Sequence, residues 1–402
     1  MSWRWIPPVH SPVTAGSLVA GGAAAIGARS DGRRALRAAV TTRYSGSDAI
    51  LTDRGTSALV LALRAAVPPG GAVAYPAYGC IDLTSAALGA GVRVRLYDVD
   101  PVTLSPDLDS LRKTIARGVD AILVAHLFGY SVDLAGARQI ADENGLPLIE
   151  DAAQGAGGSH FGRRLGSVGD LSVLSFGRGK GVTGGSGGAL VLRSAALSDR
   201  IVDLGSNLPR GSNGWSDVTR AAAQCILGRP TLYRLPASIP ALRLGEMVFH
   251  APRPPRQISR AAATIVANAI KLDDDEVRAR RANAAEILRA LRSGDVTPIR
   301  AIAHSEPGYL RLALLDRAGK SHVRPELGIV KGYPMTLEEH VQLRPLLAAG
   351  ERAGSGSKEL RDRLVTVPTH SALSARDVER IVRTLVTLPD TVREPLSALQ
   401  AL

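Results

Sequence analysis

The chain has 402 residues, 45% of them hydrophobic and 4% aromatic, with a formal net charge of +12. That length and apolar content suit a large buried core spread over two or three domains. The basic balance admits an anionic partner, but basic residues are scattered among acidic ones and aromatics are few, which argues against a base-stacking nucleic-acid module.

Between Ile6 and Ala28 there is no Asp, Glu, Lys or Arg, and "VAGGAAAIGA" imitates a signal sequence. Three prolines in "IPPVHSP" and a Gly/Ala-rich rather than Leu-rich run predict instead an N-terminal arm, residues 1–44, packing on the body, with no stable membrane insertion. "TSALVLALRAA" predicts a helix capped by Thr or Ser, and "GAVAYPAY" a short buried strand ending at Pro76. "CIDLTSAALGAG" (helix), "VRVRLYDVD" (strand), "LDSLRKTIARG" (helix) and "VDAILVAHLFG" (strand) continue the alternation. "LAGARQIADENG" (helix), "LPLIEDAAQ" (strand into loop) and the strands "LSVLSFG" and "GGALVLRS" complete it. Such alternation predicts an α/β fold with a mainly parallel sheet, placed here at residues 45–204.

Beyond Arg200 the pattern breaks. Gly205 to Pro255 hold seven prolines and no clean period, so residues 205–255 read as a connecting or lid region. Helical periodicity returns at "ISRAAATIVANAIKL" and "DDDEVRARRANAAEILRALRSG". In the latter Val277, Ala284, Leu288 and Leu291 share a face, with the arginines opposite. A small domain, 256–402 in all, follows with strands "PGYLRLALL" and "RLVTVPTH", an exposed loop "AAGERAGSGSKEL" and a last helix capped by Ser374. Cys80 and Cys225 are the only cysteines, which gives neither a metal spacing nor a disulfide framework and fits a reducing cytoplasm.

The chemistry concentrates in "SFGRGKGVTGGSGGAL", Ser175 to Leu190, where one lysine sits in a glycine-rich run. A phosphate-gripping P-loop is excluded, because Leu174 stands where its first glycine belongs and Gly181 follows the lysine in place of Ser or Thr. A lysine on a backbone that glycines bring close to a ligand can carry a Schiff base. Two other polar features lie at loop ends of the predicted sheet, where open α/β sheets bind ligands. Gly55, Thr56 and Ser57 open a helix, which is either an anion site or an ordinary cap. Glu150 and Asp151 end a strand, with Gln154 three residues on; they are either a ligand-facing carboxylate pair or a solvated strand end. Together the parts suit pyridoxal phosphate, which needs an anion site, a carboxylate for its ring nitrogen and a lysine for its aldehyde.

The same order of parts resembles the DegT/DnrJ-type sugar aminotransferase family. The matching pieces are "GTSALVLALRA", "YPAYGC", "LYDVDPVTLSPDLDSL", "AHLFGYSVDL", "IEDAAQGAGGSHFGRRLGSVGDLSVLSF" and "GKGVTGGSGGALV". The family's Asp-x-x-Gln and Ser-Phe-x-x-x-Lys elements are both present. The resemblance implies a fold-type I pyridoxal enzyme, with a large domain of mainly parallel mixed sheet flanked by helices and a small C-terminal α/β domain. It implies a homodimer that moves an amino group, from glutamate, to a nucleotide-linked keto sugar in polysaccharide or glycosylated-metabolite biosynthesis. By the same resemblance Lys180 bonds the cofactor and shuttles a proton, Asp151 pairs with the ring nitrogen, and Gln154 bonds the ring oxygen. Ser175, with Gly55, Thr56 and Ser57, holds the phosphate.

Two departures stand out. Cys80 occupies the place of an aromatic that usually stacks on the cofactor ring, which leaves Tyr78 as the candidate for stacking. The stretch where a partner subunit's asparagine and arginine are expected reads "LGSNLPRGSNGWSD", with Asn207, Arg210 and Asn213 unaligned. Arg311 in "GYLRL" is a candidate for gripping a substrate carboxylate, or else a surface arginine. The alternatives to a sugar acceptor are a non-sugar keto substrate and a non-catalytic cofactor-binding protein on the same fold.

Overall fold

The computed structural model describes residues 4–28, 31–245, 247–291, 296–317 and 322–386. Its first half runs α1 (Ala15–Ala25), α2 (Arg33–Arg43), β1 (Asp48–Thr52), α3 (Gly55–Ala66), β2 (Ala72–Pro76), α4 (Asp82–Ala90) and β3 (Arg93–Tyr97). It continues α5 (Leu108–Ala116), β4 (Ala121–Ala125), α6 (Leu134–Glu143), β5 (Leu148–Asp151), β6 (Ser159–His160), β7 (Arg163–Arg164), β8 (Leu171–Ser175) and β9 (Gly188–Leu192). From β1 to β5 strands and helices alternate as the sequence predicts, because each four- or five-residue run is long enough to cross the core and, up to β4, is followed by a helix; from β5 to β9 strands follow one another.

Seven strands form one sheet in the order β1-β9-β8-β5-β4-β2-β3. The five strands from β8 to β3 are parallel, whereas β9 runs antiparallel to both β8 and β1. On one face Leu59 and Leu63 of α3 pack with Tyr75, Leu123, Ile149 and Val173. On the other, Leu111 and Ile140 of α5 and α6 pack with Ile122, Val124 and Leu148. Each such Leu or Ile side chain contributes roughly 1.5–3 kcal/mol by burial, so the sheet is a rigid frame for whatever its strand ends present.

The second half contains α7 (Ser198–Ser206), α8 (Trp215–Leu227), α9 (Arg234–Ala237), α10 (Arg260–Ala269) and α11 (Asp273–Ala290). After these come β10 (Val296–Pro298), β11 (Ser305–Glu306), β12 (Leu312–Asp316), β13 (Val330–Lys331), α12 (Ser355–Arg363), β14 (Leu364–Val367) and α13 (Ala375–Val386). An antiparallel sheet, β10-β12-β14-β13, packs beneath α11 and α13 through Ile287, Leu312, Leu314, Val365, Val378 and Ile381. A three-stranded sheet, β11-β6-β7, joins this layer to the loop after β5.

Several details differ from the sequence reading. The proline-bearing stretch from 205 to 255 contains a thirteen-residue helix, α8, whose Ala221 packs with Val13 and Ile265. Helix α10, grouped by sequence with the C-terminal part, shares its core with the large sheet: Ala262, Ala263 and Val266 meet Leu51, Phe176 and Val191. Arg280, read as part of a solvent face of α11, is fully buried against Glu276. The stretch 348–360, read as an exposed loop, holds the start of α12 and a buried Glu351 that accepts from the Leu96 amide at 2.7 Å and from Arg117 at 2.6 Å. Among the described residues no helix is long and apolar enough to cross a membrane.

The N-terminal segment forms a strap. The Arg4 guanidinium clasps Asp377 at 2.7 Å, the Ile6 amide donates to Glu326 at 3.0 Å, and His370 Nε2 donates to the Pro7 carbonyl at 2.9 Å. Further along, the Ser11 hydroxyl donates to the Lys180 carbonyl and Cys225 Sγ meets the Val13 carbonyl at 3.3 Å. Burial lowers the pKa of His370 to about 3. Below its ordinary value of 6.5 the unfolded chain therefore binds a proton that the folded chain does not. Stability is expected to fall by up to about 1.4 kcal/mol per pH unit from pH 6.5 toward pH 3. Urea titrations at stepped pH check this: His370→Gln should reduce the slope by that amount, other groups of lowered pKa keeping the rest, and an unchanged slope would reject the assignment.

Candidate active site

The C-terminal edges of β4, β5 and β8 meet the N-terminal end of α3 in a cleft of about 450 Å³, its mouth included. Strand register builds the floor. Ala125 pairs with Asp151 and Asp151 with Val173, so three neighbouring strands present these residues in one row, and all three line the cleft. Side chains alternate along a strand, and this separates the two carboxylates that the sequence leaves together. Asp151 faces the cleft, while Glu150 points into the opposite layer.

Glu150 is fully buried and saturated. It accepts from His126 Nε2 at 2.9 Å, from the amides of Gly166, Val168 and Gly169 at 2.6–2.9 Å, and from Ser172 Oγ at 3.1 Å. Burial alone would raise its pKa, but the His126 hydrogen bond and the backbone donors bring it down to about 2. Asp151 behaves in the opposite way: burial raises its pKa, and the Ala153 amide at 2.9 Å and the nearby Lys180 charge only partly offset that.

Helix α3 begins without any side-chain cap, so its first-turn amides are open to a ligand at the positive end of twelve helical residues. Gly55 is required here by space. A Cβ on it would lie 2.7 Å from Ser175 Cβ, so glycine lets the helix start abut the end of β8. Gly55, Thr56 and Ser175 all line the cleft. Ser57 does not. Its hydroxyl donates to Asp53 Oδ1 at 2.6 Å, and the residue lines an adjoining open groove of about 700 Å³, its mouth included, with Arg54, His250 and Arg253.

Lys180 lines the cleft from the loop between β8 and β9. Part of that loop's glycine content serves packing rather than ligand approach. Gly185 has φ +81°, and a Cβ there would lie 2.2 Å from the Asp217 carbonyl, so glycine seats the loop against α8. Gln154 also lines the cleft and is held at both ends: its Oε1 accepts from the Phe128 amide at 3.3 Å, and its Nε2 donates to Tyr333 Oη at 2.5 Å.

Cys80 lines the cleft, with its thiol aimed at Asp82 Oδ2 at 3.7 Å. Burial, helped by the Asp82 charge, pushes the Cys80 thiol up to about 12, so it is a neutral wall and not a nucleophile. Tyr78 does not line the cleft. It is fully buried, its hydroxyl accepts from the Tyr333 amide at 2.8 Å, and its ring meets that of Tyr333 at 5.7 Å. The stacking expectation for Tyr78 therefore finds no geometric support. Asn207, at the end of α7, and Arg210 after it are exposed and do not line the cleft, and Asn213 is exposed before α8.

Three residues escaped the sequence reading. His126 lines the cleft, with Nδ1 accepting from the Val132 amide at 3.2 Å and the proton on Nε2 directed to Glu150. Its only sequence signal was its place at the end of a buried strand. Asp82, at the start of α4, borders both cavities. Tyr333 arrives from the loop after β13, with nothing in its local sequence to mark it. Arg311, at the start of β12, turns inward over the Phe128 ring at 6.0 Å.

These residues fit pyridoxal phosphate: an uncapped helix start beside two hydroxyls for the phosphate, a cleft-facing carboxylate, and a lysine lining the same cleft. Residues 24–217 match the DegT/DnrJ/EryC1/StrS aminotransferase family. The L-glutamine:2-deoxy-scyllo-inosose aminotransferase of Streptoalloteichus tenebrarius is 32% identical over 238 residues, which are 59% of this chain and 51% of that protein. The GDP-perosamine synthase of Vibrio cholerae is 28% identical over 172 residues, 42% of this chain and 47% of that protein. The chain thus spans about half the length of the curated relatives it matches. The crystal structure of DesI with its TDP-sugar product shares the fold at a TM-score of 0.74, with 22% identity over 96% of this chain and 93% of that one. Through residues 24–217, a little under half of its length, the chain is thus similar to the DegT/DnrJ/EryC1/StrS aminotransferase family, and that similarity implies pyridoxal phosphate as the cofactor.

Proposed function

We propose that the chain is an aminotransferase that moves an amino group from an amino acid, glutamate in the first instance, to a keto sugar carried on a nucleotide. The observation that carries this reading is the convergence of Asp151, Gln154, Ser175 and Lys180 on one cleft at the start of α3. Bound pyridoxal phosphate supplies the electron sink that lets a proton leave the carbon bearing nitrogen. The chain does the rest. The amides of Gly55 and Thr56, with the hydroxyls of Thr56 and Ser175, hold the phosphate dianion. Asp151, whose raised pKa suits a shared proton, holds that proton at the ring nitrogen. Gln154, fixed by Phe128 and Tyr333, orients the ring edge, and Lys180 Nζ takes and returns the substrate proton.

Relatives act, by name, on a cyclitol ketone and on nucleotide sugars, and the +12 charge favours the phosphorylated class here. A non-sugar keto acceptor is the second reading, favoured by the inward Arg311. A non-catalytic binder on this fold is opposed by the intact lysine. A homodimer in the cytoplasm, serving polysaccharide or glycosylated-metabolite synthesis, completes the reading. The domain division 1–44, 45–204, 205–255 and 256–402 stands as a proposal beside it. Incubation of the pyridoxal-loaded protein with glutamate and a nucleotide-linked 4-keto-6-deoxyhexose is expected to yield an amino sugar and an equal amount of 2-oxoglutarate. Neither product forming with that ketone, while a free cyclitol ketone is aminated, would overturn the nucleotide-sugar assignment.

A further inference from the structure

One side of the chain leaves apolar side chains uncovered. Among the described residues thirteen large hydrophobic side chains are exposed, and eight of them lie on α1, on α8 and in the turns that follow α8. Apolar side chains exposed singly are ordinary, whereas a concentration of this kind marks a contact surface. Helix α8 fixes its direction. Ala221 and Cys225 pack inward with Val13 and Ile265, so Trp215, Thr219, Ala223 and Ile226, which recur at helical spacing, face outward. Trp215 is 53% exposed and Ile226 52%. Helix α1 adjoins α8 through Leu18 in the same cluster. The strip continues through Leu235, Ile239 and Leu242, all exposed, and the Trp5 amide ties it to the body by donating to the Pro230 carbonyl at 3.0 Å.

The charge on this strip says what covers it. From Val218 to Gly245 the sequence carries four arginines and no Asp, Glu or Lys. Arg220, Arg229 and Arg243 are exposed among the apolar positions, and Arg220 pairs at 3.0 Å with Asp217 in the first turn of α8. A second copy related by a two-fold axis would oppose the strip to itself. Arginine would then face arginine, with no acid within the strip to pair it. An anionic bilayer suits both features: its interface takes Trp, Ile and Leu side chains, and its phosphates take guanidinium groups. The thirteen residues of α8 make about 20 Å of helix, against roughly 30 Å of hydrocarbon in a bilayer. Such a helix lies along the surface.

We propose that α8 and the turns up to Arg243 form a peripheral docking surface for a bilayer that contains anionic lipid. Trp215, Ile226, Leu235, Ile239 and Leu242 enter the headgroup layer, and Arg220, Arg229 and Arg243 meet the lipid phosphates. The surface goes beyond the cofactor reading and does not rest on it, since none of these side chains lines the cleft.

The test sediments the full chain with vesicles of phosphatidylcholine alone or mixed with phosphatidylglycerol. The unmodified protein is expected to bind the mixed vesicles at least about 10-fold more tightly than the neutral ones, and to lose that margin in high salt. Its tryptophan emission should move to shorter wavelength on binding, a shift that Trp215→Phe removes. Ile239→Glu combined with Leu242→Glu should weaken binding about 100-fold and leave the unfolding midpoint unchanged, because both side chains are exposed. A double variant that binds at the original lipid concentration would overturn the proposal. So would an unmodified protein that ignores both vesicles, above all one that light scattering shows to be a dimer which the double variant splits, since the strip is then a subunit interface. If the double variant does not fold, the unmodified protein decides: equal binding to the two vesicles, or no shift from Trp215, rejects the surface.

Discussion

Lys180→Ala is expected to abolish the visible band that pyridoxal phosphate gives with the unmodified protein, and to lower amino transfer by at least about 1,000-fold. Borohydride should fix the cofactor onto the peptide that contains Lys180 in the parent and onto no peptide in the variant. The magnitude follows from the loss of two functions together, the covalent anchor and the proton carrier at Nζ. The loop itself should survive. Its hydrogen bonds run through backbone groups, the Lys180 carbonyl to Ser11 and the Gly184 amide to Phe176, and alanine keeps both. A variant that retains the band would remove Lys180 from the chemistry.

Asp151→Asn, by contrast, should keep the cofactor and lose its reactivity. Asparagine preserves the shape of the side chain but cannot hold the ring-nitrogen proton, so the rate should fall about 100- to 1,000-fold, with little change in unfolding midpoint. The neighbouring Glu150→Gln reverses the pattern. Three amides, one hydroxyl and His126 converge on that carboxylate, and an amide NH₂ turned toward them leaves donors facing a donor. We expect it to cost about 2–4 kcal/mol of stability in urea unfolding. Chemistry per folded, loaded molecule should change little. Equal kinetic damage from both substitutions would mean that the strand alternation does not divide their roles.

Six of the large sheet's seven strands were legible because they are short and regularly punctuated, and each was found where its run predicts; the edge strand β1, Asp48–Thr52, was not read from the sequence. The antiparallel setting of β9 was not, since a loop of twelve residues from Phe176 to Gly187 permits either direction. Lys180, Asp151, Gln154 and Ser175 could be read because their spacing is local and each sits at a strand end. Tyr333 and the inward turn of Arg311 could not. They stand behind the cleft wall, Tyr333 on Gln154 and Arg311 over Phe128, and come from a separate sheet, so only tertiary packing decides that an arginine beside β12 points toward Phe128 rather than toward water. Arg280 misled for the same reason: helical periodicity placed it with solvent-facing arginines, and its partner Glu276, one turn earlier, makes its burial possible. Ser57 shows the limit of a motif, for a hydroxyl at the right helix position is claimed by Asp53.

The strap has a mechanical meaning. Its first residues are pinned to the layer of α13 and β14 through Asp377 and His370, and seven residues on from Arg4 it grips the peptide that bears Lys180. Only seven residues separate the two attachments, at most about 24 Å of extended chain. Any swing of the C-terminal layer toward the large sheet therefore reaches the lysine as a pull on its own carbonyl, and the lysine's freedom is in turn a brake on that swing. Fusing or trimming this end of the chain is for that reason an intervention at the reaction centre.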